Sequence, residues 1–344
     1  MSVYFYLVFS TFFFTVLENF TNITKKIYFK YIQYFYIFVL FILFSLNRDN
    51  ADYKNYQSIF NGTYGVVKEK GYIYFNNLVK KCGGNYNFIL LILGILVILV
   101  IFKLYGVEKK ITLIFIYAIH NMIFDIIQVR NMYCILFILI GIKYLQKKKD
   151  MIYLFCNFLA ATFQKIGYVY IVFYIFNKLR LKAYIKILVF IFLISFISKD
   201  FFKLIADNFF PEKSYYFQNN IRSGILIYYC LFIVDIFILV YMNYKKKINL
   251  EEEIYIKFIL FPIIFLPFCG HFLVLMERLW RNTFLLKLLY YLKFFKLKNS
   301  KRKSILLLSL LIIQQLFFLS VRLWRAPEFI IELFKEMGNI QFYF

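Results

Sequence analysis

The hydrophobic pattern is one of long apolar runs separated by short polar clusters. Runs fall near residues 3–18, 31–46, 87–105, 111–125, 131–146, 151–163, 166–177, 183–198, 223–244, 254–276, 282–292 and 304–321. A bilayer core about 30 Å thick needs about 20 helical residues to cross. The pattern therefore predicts an all-α, polytopic membrane bundle of about 10–12 membrane segments. The runs at 151–163, 166–177 and 282–292 are too short to cross alone. Tilted, half-membrane or paired segments accommodate them. The run from Tyr4 to Leu17 has no basic flank before it and no small-residue cleavage site, so it reads as a retained first span.

Composition strengthens the membrane reading. The chain has 344 residues, 62% apolar and 23% aromatic, with only 17% charged; soluble domains are nearer ~45–50% apolar. Loops are short, so one membrane domain over 1–344 is expected. The formal net charge of +24 does not point to nucleic acid, because basic residues punctuate apolar spans instead of forming a groove or arm. Cys82, Cys134, Cys156, Cys230 and Cys269 show no paired spacing. All but Cys82 sit in or beside apolar runs and read as buried free thiols.

Charge sorts the two faces. With the N-terminus outside and 151–177 entering and returning from the cytoplasmic side, the inner loops collect six basic clusters. These are Lys25, Lys26 and Lys30; Lys103, Lys109 and Lys110; Lys143 and Lys147 to Lys149; Lys178 to Lys186; Lys245 to Lys247; and the basic loop 293–303. They contain more than half of the 42 Lys and Arg residues, as the positive-inside rule requires. The opposite face receives the long loops 47–86 and 199–222, together with turns around Asp125–Asn131, Gln164–Lys165 and Glu277–Arg281. It holds the acidic residues Asp49, Asp52, Glu69, Asp125, Asp200, Asp207, Glu212, Glu277, Glu328, Glu332 and Glu336. The functional surface is expected there.

Four constellations on that face can carry chemistry. In Arg48-Asp49-Asn50-Ala51-Asp52-Tyr53-Lys54-Asn55-Tyr56, a helix would place Asp49, Asp52, Tyr53 and Tyr56 on one side, with Arg48 and Asp52 as an i,i+4 pair. A carboxylate there can take a proton, and an arginine can grip phosphate. A capped interfacial helix with a solvated ion pair fits the same residues. Glu69-Lys70-Gly71-Tyr72 precedes an amphipathic stretch ending at Gly83-Gly84, which also suits a surface helix in the headgroup region.

Asn121, Asp125 and Gln128 form a polar stripe at membrane depth. An unbroken helix would turn Arg130 away from it, so a helix break is predicted, with Arg130 opening the next span. An Asp125–Arg130 structural pair is the alternative. The fourth constellation, Glu277-Arg278-Leu279-Trp280-Arg281, offers phosphate ligands or snorkelling arginines beside an interfacial Trp. His120 and His271 lack metal-ligand spacing. No Gly-rich phosphate loop, Ser-His-Asp set or cysteine metal motif occurs, and no cofactor is expected.

These residues resemble the EpsG-like family of Wzy-type polysaccharide polymerases. The similar features are Arg48, Asp49, Asp52, Tyr53 and Tyr56 after the second span; Glu69, Gly71 and Tyr72; an Arg-containing step at the start of a middle span; a small-residue segment running into a Phe-His-type turn; and a late Glu/Arg-aromatic segment. The chain departs in reading Val129-Arg130-Asn131 where the family tends to read Arg-Gln, and Phe163-Gln164-Lys165 where it tends to read Phe-His. An amide does not titrate, so Gln164 cannot serve as a base.

The resemblance implies a fold related to the membrane-embedded, lipid-dependent glycosyltransferases (GT-C-like). It implies metal-independent glycan transfer from an undecaprenyl-pyrophosphate-linked oligosaccharide at the outer face of the bacterial inner membrane, with a chain-length regulator as a further partner. On that basis Arg48, Arg130 and Arg278 are expected to bind pyrophosphate, with Arg281 in reserve. Asp52 is the preferred base and Asp49 its rival. Tyr53, Glu69, Tyr72, Asp125, Gln128, Gln164 and Lys165 would contact substrate. The rival readings are a membrane O-acyltransferase relying on His120 or His271, a lipid-oligosaccharide flippase, and a structural membrane subunit.

Overall fold

A computed structural model describes residues 3–20, 27–48, 52–63, 69–197, 222–243, 248–269, 273–294 and 301–325. Among them every regular element is helical and none is a strand. The protein is an all-α, polytopic membrane bundle. In chain order the helices are α1 Val3–Phe20, α2 Ile27–Ser45, α3 Tyr53–Asn61, α4 Lys70–Lys81, α5 Tyr86–Ile98, α6 Lys110–Ile119, α7 Asn121–Ile127, α8 Val129–Gln146, α9 Asp150–Phe163, α10 Gly167–Asn177 and α11 Leu181–Ile197. They continue as α12 Arg222–Asn243, α13 Leu250–Leu260, α14 Leu266–Cys269, α15 Leu273–Phe294 and α16 Lys301–Arg325. A wider π turn, Leu99–Leu104, prolongs α5, and a tighter 3₁₀ segment, Phe261–Phe265, joins α13 to α14.

Ile27–Ser45, Tyr86–Leu104 and Val129–Gln146 are each long and apolar enough to cross a bilayer. The pair α6–α7, bent by 78°, reaches that length together. Shorter apolar helices include α9 and α10, which are separate helices divided at Gln164–Ile166. Outward-facing aromatics fit a lipid environment. Phe9 on α1 and Tyr31 on α2 are 76% and 68% exposed, on surfaces that continue through Phe5, Phe12, Phe35 and Phe38. Apolar exposure this continuous is costly in water and ordinary in hydrocarbon.

The chain divides into two compact units, residues 1–168 with 291–344, and residues 169–290. In the first, α8 packs along α9, α1 on α6, α2 on α5, α16 on α6 and α4 on α9. The α8–α9 contact is close because Gly141 leaves room for Asn157 and Tyr153; a Cβ at 141 would stand 3.1 and 3.3 Å from them. Glu18 is buried at the start of α6. Its carboxylate accepts hydrogen bonds from the Thr112 amide (2.8 Å), the Thr112 hydroxyl (2.6 Å) and Gln33 Nε2 (2.8 Å). The first N–H groups of a helix have no partner within it, and a buried start needs one from elsewhere. Glu18 supplies it from α1.

In the second unit, α11 packs on α13 and α14, and α12 packs on α13. Lys257 Nζ donates to the carbonyls of Asn177 (2.9 Å) and Leu179 (2.6 Å), closing the C-terminal end of α10. Asn249 and Glu252 form a capping box at the start of α13. Asp235 of α12 and Lys287 of α15 make an ion pair at 2.8 Å, each side chain 1% exposed. A cavity of about 210 Å³, lined by Leu188, Phe192, Ile236, Val240 and Ile256 with Asn243 among them, lies between α11, α12 and α13.

Three sequence expectations are corrected. The 277–281 segment is not a turn, and 282–292 is not a separate segment. Both lie inside the continuous 22-residue α15, where Glu277 and Arg281 are neighbours one turn apart at 3.9 Å and Arg281 is buried. Arg48 and Asp52 do not share a helical turn, because α2 ends at Ser45 and α3 begins at Tyr53. Cys134 and Cys156 are buried free thiols, but Cys230 is exposed; a thiol is apolar enough to suit a lipid-facing position as well as a buried one. Asp49, His271 and residues 198–221 lie outside the described residues.

Candidate functional site

At one end of the first unit, α3, α4 and the first turns of α5 and α8 meet the last turn of α9. Asp52 caps α3 from a non-extended backbone conformation (φ −97°, ψ −8°), and its carbonyl accepts from the Tyr56 amide at 2.9 Å. One step on, the Tyr53 hydroxyl donates to Asn87 Oδ1 at 3.0 Å, and its ring meets Tyr86 edge-on at 5.3 Å. These two contacts hold α3 against α5. A turn later, Tyr56 faces inward and meets the Tyr72 ring edge-on at 6.0 Å.

Helix α4 starts at Glu69, whose backbone is extended (φ −85°, ψ 91°) and whose side chain does not cap its own helix. The carboxylate instead accepts from Arg130 Nη1 at 2.8 Å. Arg130 is available because the chain breaks at Gln128 (φ −87°, ψ 66°), which ends α7 and opens α8. This is the predicted break. The Arg130 guanidinium lies 5.6 Å from the centre of the Tyr56 ring and 6.0 Å from that of Tyr72, close enough for cation–π attraction. Arg130 and Glu69 keep 24% and 15% of their side-chain surface exposed, so the pair borders solvent.

The α4–α9 crossing brings Tyr72 to this place. A Cβ at Gly71 would overlap the Thr162 side chain, so only glycine lets α4 lie this close to α9. Tyr72 then packs on Phe163 (6.3 Å), which also meets Phe75 and Tyr133. Burial pushes the Tyr72 phenol well above its ordinary pKa, so it stays protonated and can donate. Gln164 ends α9 in an extended conformation (φ −150°, ψ 123°), half-buried, while Lys165 is exposed.

The structure therefore brings Asp52, Tyr53, Tyr56, Glu69, Tyr72 and Arg130 to one end of one unit, with Gln164 at the adjoining helix end. Arg48 lies half-buried just after α2. Asp125 has a different role: its carboxylate takes the Tyr117 hydroxyl at 2.6 Å inside α7 and is buried. The Asp125–Arg130 pair is replaced by Glu69–Arg130. Arg278 and Arg281 belong to α15 in the second unit.

A protein-family model described as the EpsG family matches residues 30–335. The chain belongs to the EpsG family. EpsG is a Wzy-type, polymerase-like family, so the role is polysaccharide polymerase-like and the enzyme glycosyltransferase-like. No curated protein and no solved structure gives a significant match.

Within this EpsG chain, sequence reasoning overlooked Asn76 and Tyr86, both buried beside Tyr72. The available signal for Asn76 was its spacing: 69, 72 and 76 share one face of α4. It also overlooked Glu18, Asp235 and Lys287. Ionisable residues inside apolar runs were the signal there, since charge at membrane depth is costly without a partner.

What the cluster can do follows from its parts. A guanidinium can hold phosphate through two parallel hydrogen bonds. The buried rings of Tyr56 and Tyr72 pack beside the Arg130 guanidinium. Asp52 and Glu69 provide carboxylates able to accept a hydroxyl proton.

Proposed function

We propose that this protein elongates a bacterial surface polysaccharide at the outer face of the cytoplasmic membrane. The growing glycan, linked through its anomeric carbon to undecaprenyl pyrophosphate, passes to the terminal sugar hydroxyl of an incoming lipid-linked repeat unit. The bond between the anomeric carbon and pyrophosphate oxygen breaks, and a glycosidic bond to the acceptor oxygen forms. The acceptor proton goes to a carboxylate, for which Asp52 is the first choice. The electron pair leaves with the lipid pyrophosphate, whose charge Arg130 offsets. Tyr53, Tyr56 and Tyr72 orient sugar, and Gln164, an amide, contributes binding only.

The observation that carries this reading is the placement of Arg130, a guanidinium shared between two tyrosine rings and a carboxylate at a solvent-bordering helix junction. An incoming pyrophosphate is the stronger anion. It competes with Glu69 for Arg130 and leaves the Glu69 carboxylate beside the substrate.

An O-acyltransferase would rely on a histidine able to reach substrate. His120 is fully buried at the bend between α6 and α7, its Nδ1 3.1 Å from Asn121 Oδ1 and its ring between Phe124 and Phe318. The test is purified protein in nanodiscs supplied only with its lipid-linked repeat unit. A ladder of longer lipid-linked products supports polymerisation. Movement of lipid across the bilayer without a ladder supports a flippase, and modification only when an acyl donor is added supports the acyltransferase.

A further inference from the structure

Beneath the Arg130–Glu69 pair lie three polar side chains with no role in the chemistry above, or only a general one. Tyr72 and Asn76 sit one turn apart on α4, on the face that Glu69 begins, and Tyr86 opens α5. All three are buried, Asn76 with 2% of its surface exposed. No group outside the trio hydrogen-bonds to either phenol oxygen or to the Asn76 amide among the described residues; within it, the Tyr72 phenol lies close enough to Tyr86 and Asn76 to interact with both.

Nearby buried phenols are treated differently. Tyr133 donates to the Ile89 carbonyl at 2.6 Å, and Tyr105 donates to the Leu139 carbonyl at 2.6 Å. Buried polar atoms are normally fully satisfied, so a buried trio with only one another as partners, and hydrogen-bonding capacity left over, is a feature that stability alone does not select.

Helix α4 shows the same inversion in its pattern. It exposes Tyr74 (71%) and Leu78 (46%) while burying Asn76 between them in sequence. A leucine at 76 would fill the space without burying an amide whose hydrogen-bonding capacity is only partly used. A site that breaks the hydrophobic pattern in this way is where function is expected.

We infer that Asn76, with the hydroxyls of Tyr72 and Tyr86, forms a subsite that reads the hydroxyl groups of one sugar of the lipid-linked glycan. The amide brings a donor pair and an acceptor, and each phenol brings one donor and acceptor capacity. Sugar hydroxyls also both donate and accept, so adjacent hydroxyls of one ring match this set. No charged group belongs to the trio, which suits a neutral glycan and leaves phosphate to Arg130. The neighbouring Tyr56 ring supplies an apolar face for the sugar's C–H groups. A subsite of this kind selects by hydroxyl pattern, because a sugar lacking the hydroxyl leaves buried groups unpaired. This inference rests on the polymerase reading.

The test uses full-length wild-type protein, Asn76→Leu and Tyr86→Phe in nanodiscs, with lipid-linked repeat unit extracted from host cells lacking the polymerase. For Asn76→Leu, the melting temperature is expected to hold or rise while the apparent KM for the repeat unit rises about tenfold or more. Tyr86→Phe keeps the ring packing and shifts KM the same way by a smaller factor. It decides the matter alone if Asn76→Leu fails to fold. Wild-type KM in the folded variants overturns the subsite, as does a joint fall in kcat and melting temperature at unchanged KM. Wild-type protein that builds no ladder overturns the polymerase reading itself, and the subsite with it.

Discussion

Arg130 Nη1 lies 2.8 Å from Glu69 Oε2 although 61 positions separate the two residues. That contact ties the second helix within the first long loop, α4, to the start of a membrane span, and it places a cation and an anion where solvent meets the bundle. Arg130→Ala is expected to lower the rate of chain elongation about 10²–10³-fold, the usual loss when a group stabilising transition-state charge is removed. Arg130→Lys recovers little of it, because an ammonium cannot make the planar, two-pronged contact of a guanidinium. Turnover in nanodiscs, corrected for folded protein, reads both effects.

Gly71→Ala is predicted to weaken fold and function together. The added methyl overlaps Thr162, so α4 must move off α9 and carry Tyr72 away from Arg130. Overpacking of this kind costs about 1–3 kcal/mol. Thermal unfolding in detergent should show a lower midpoint, and Thr162→Gly in the same chain should restore part of both stability and activity.

Glu18→Gln tests a structural role kept apart from catalysis. The carboxylate accepts three hydrogen bonds shorter than 3 Å at the start of α6, and a neutral amide presents a single acceptor oxygen. A loss of about 1–3 kcal/mol is expected, with kcat per folded molecule unchanged. Calorimetry and turnover on the same sample separate the two.

The Asp235–Lys287 pair predicts a strongly non-additive double-mutant cycle. Each side chain is 1% exposed, so removing either leaves an uncompensated buried charge, at about 3–5 kcal/mol. Replacing both with leucine should cost much less than the sum of the single changes. Denaturation midpoints of the four proteins check this; additive losses would contradict it.

How much of this was legible in the sequence depended on the range of the forces involved. The break at Gln128 was readable because Asn121, Asp125 and Gln128 share a stripe that an uninterrupted helix could not extend to Arg130. Local periodicity alone decides that. The second break, at His120, was not readable, because 111–125 reads as one apolar run with no local signal for the 78° bend. The polar residues of α15 misled in the opposite direction: Glu277, Arg278 and Arg281 look like a turn, yet Glu277 and Arg281 lie one turn apart and the helix runs on.

The candidate site was partly legible for the same reason. Charge sorting placed Asp52, Tyr53, Glu69, Tyr72 and Arg130 on one face, and the local motifs with their family resemblance picked them out. These signals could not say that Glu69 would choose Arg130 or that Asp125 would be taken by Tyr117, since such partners are set by tertiary contacts. Nor did they flag Asn76, an ordinary asparagine in a chain rich in them. Only its burial between exposed Tyr74 and Leu78 marks it out.

Polymerisation at the Arg130 cluster is tested by comparing Asp52→Asn and Arg130→Ala with wild type in nanodiscs supplied with the lipid-linked repeat unit, reading product length on a gel. Wild type should give a ladder, and each well-folded variant should leave the starting material unextended. Wild-type ladders from both variants would contradict polymerisation at this cluster.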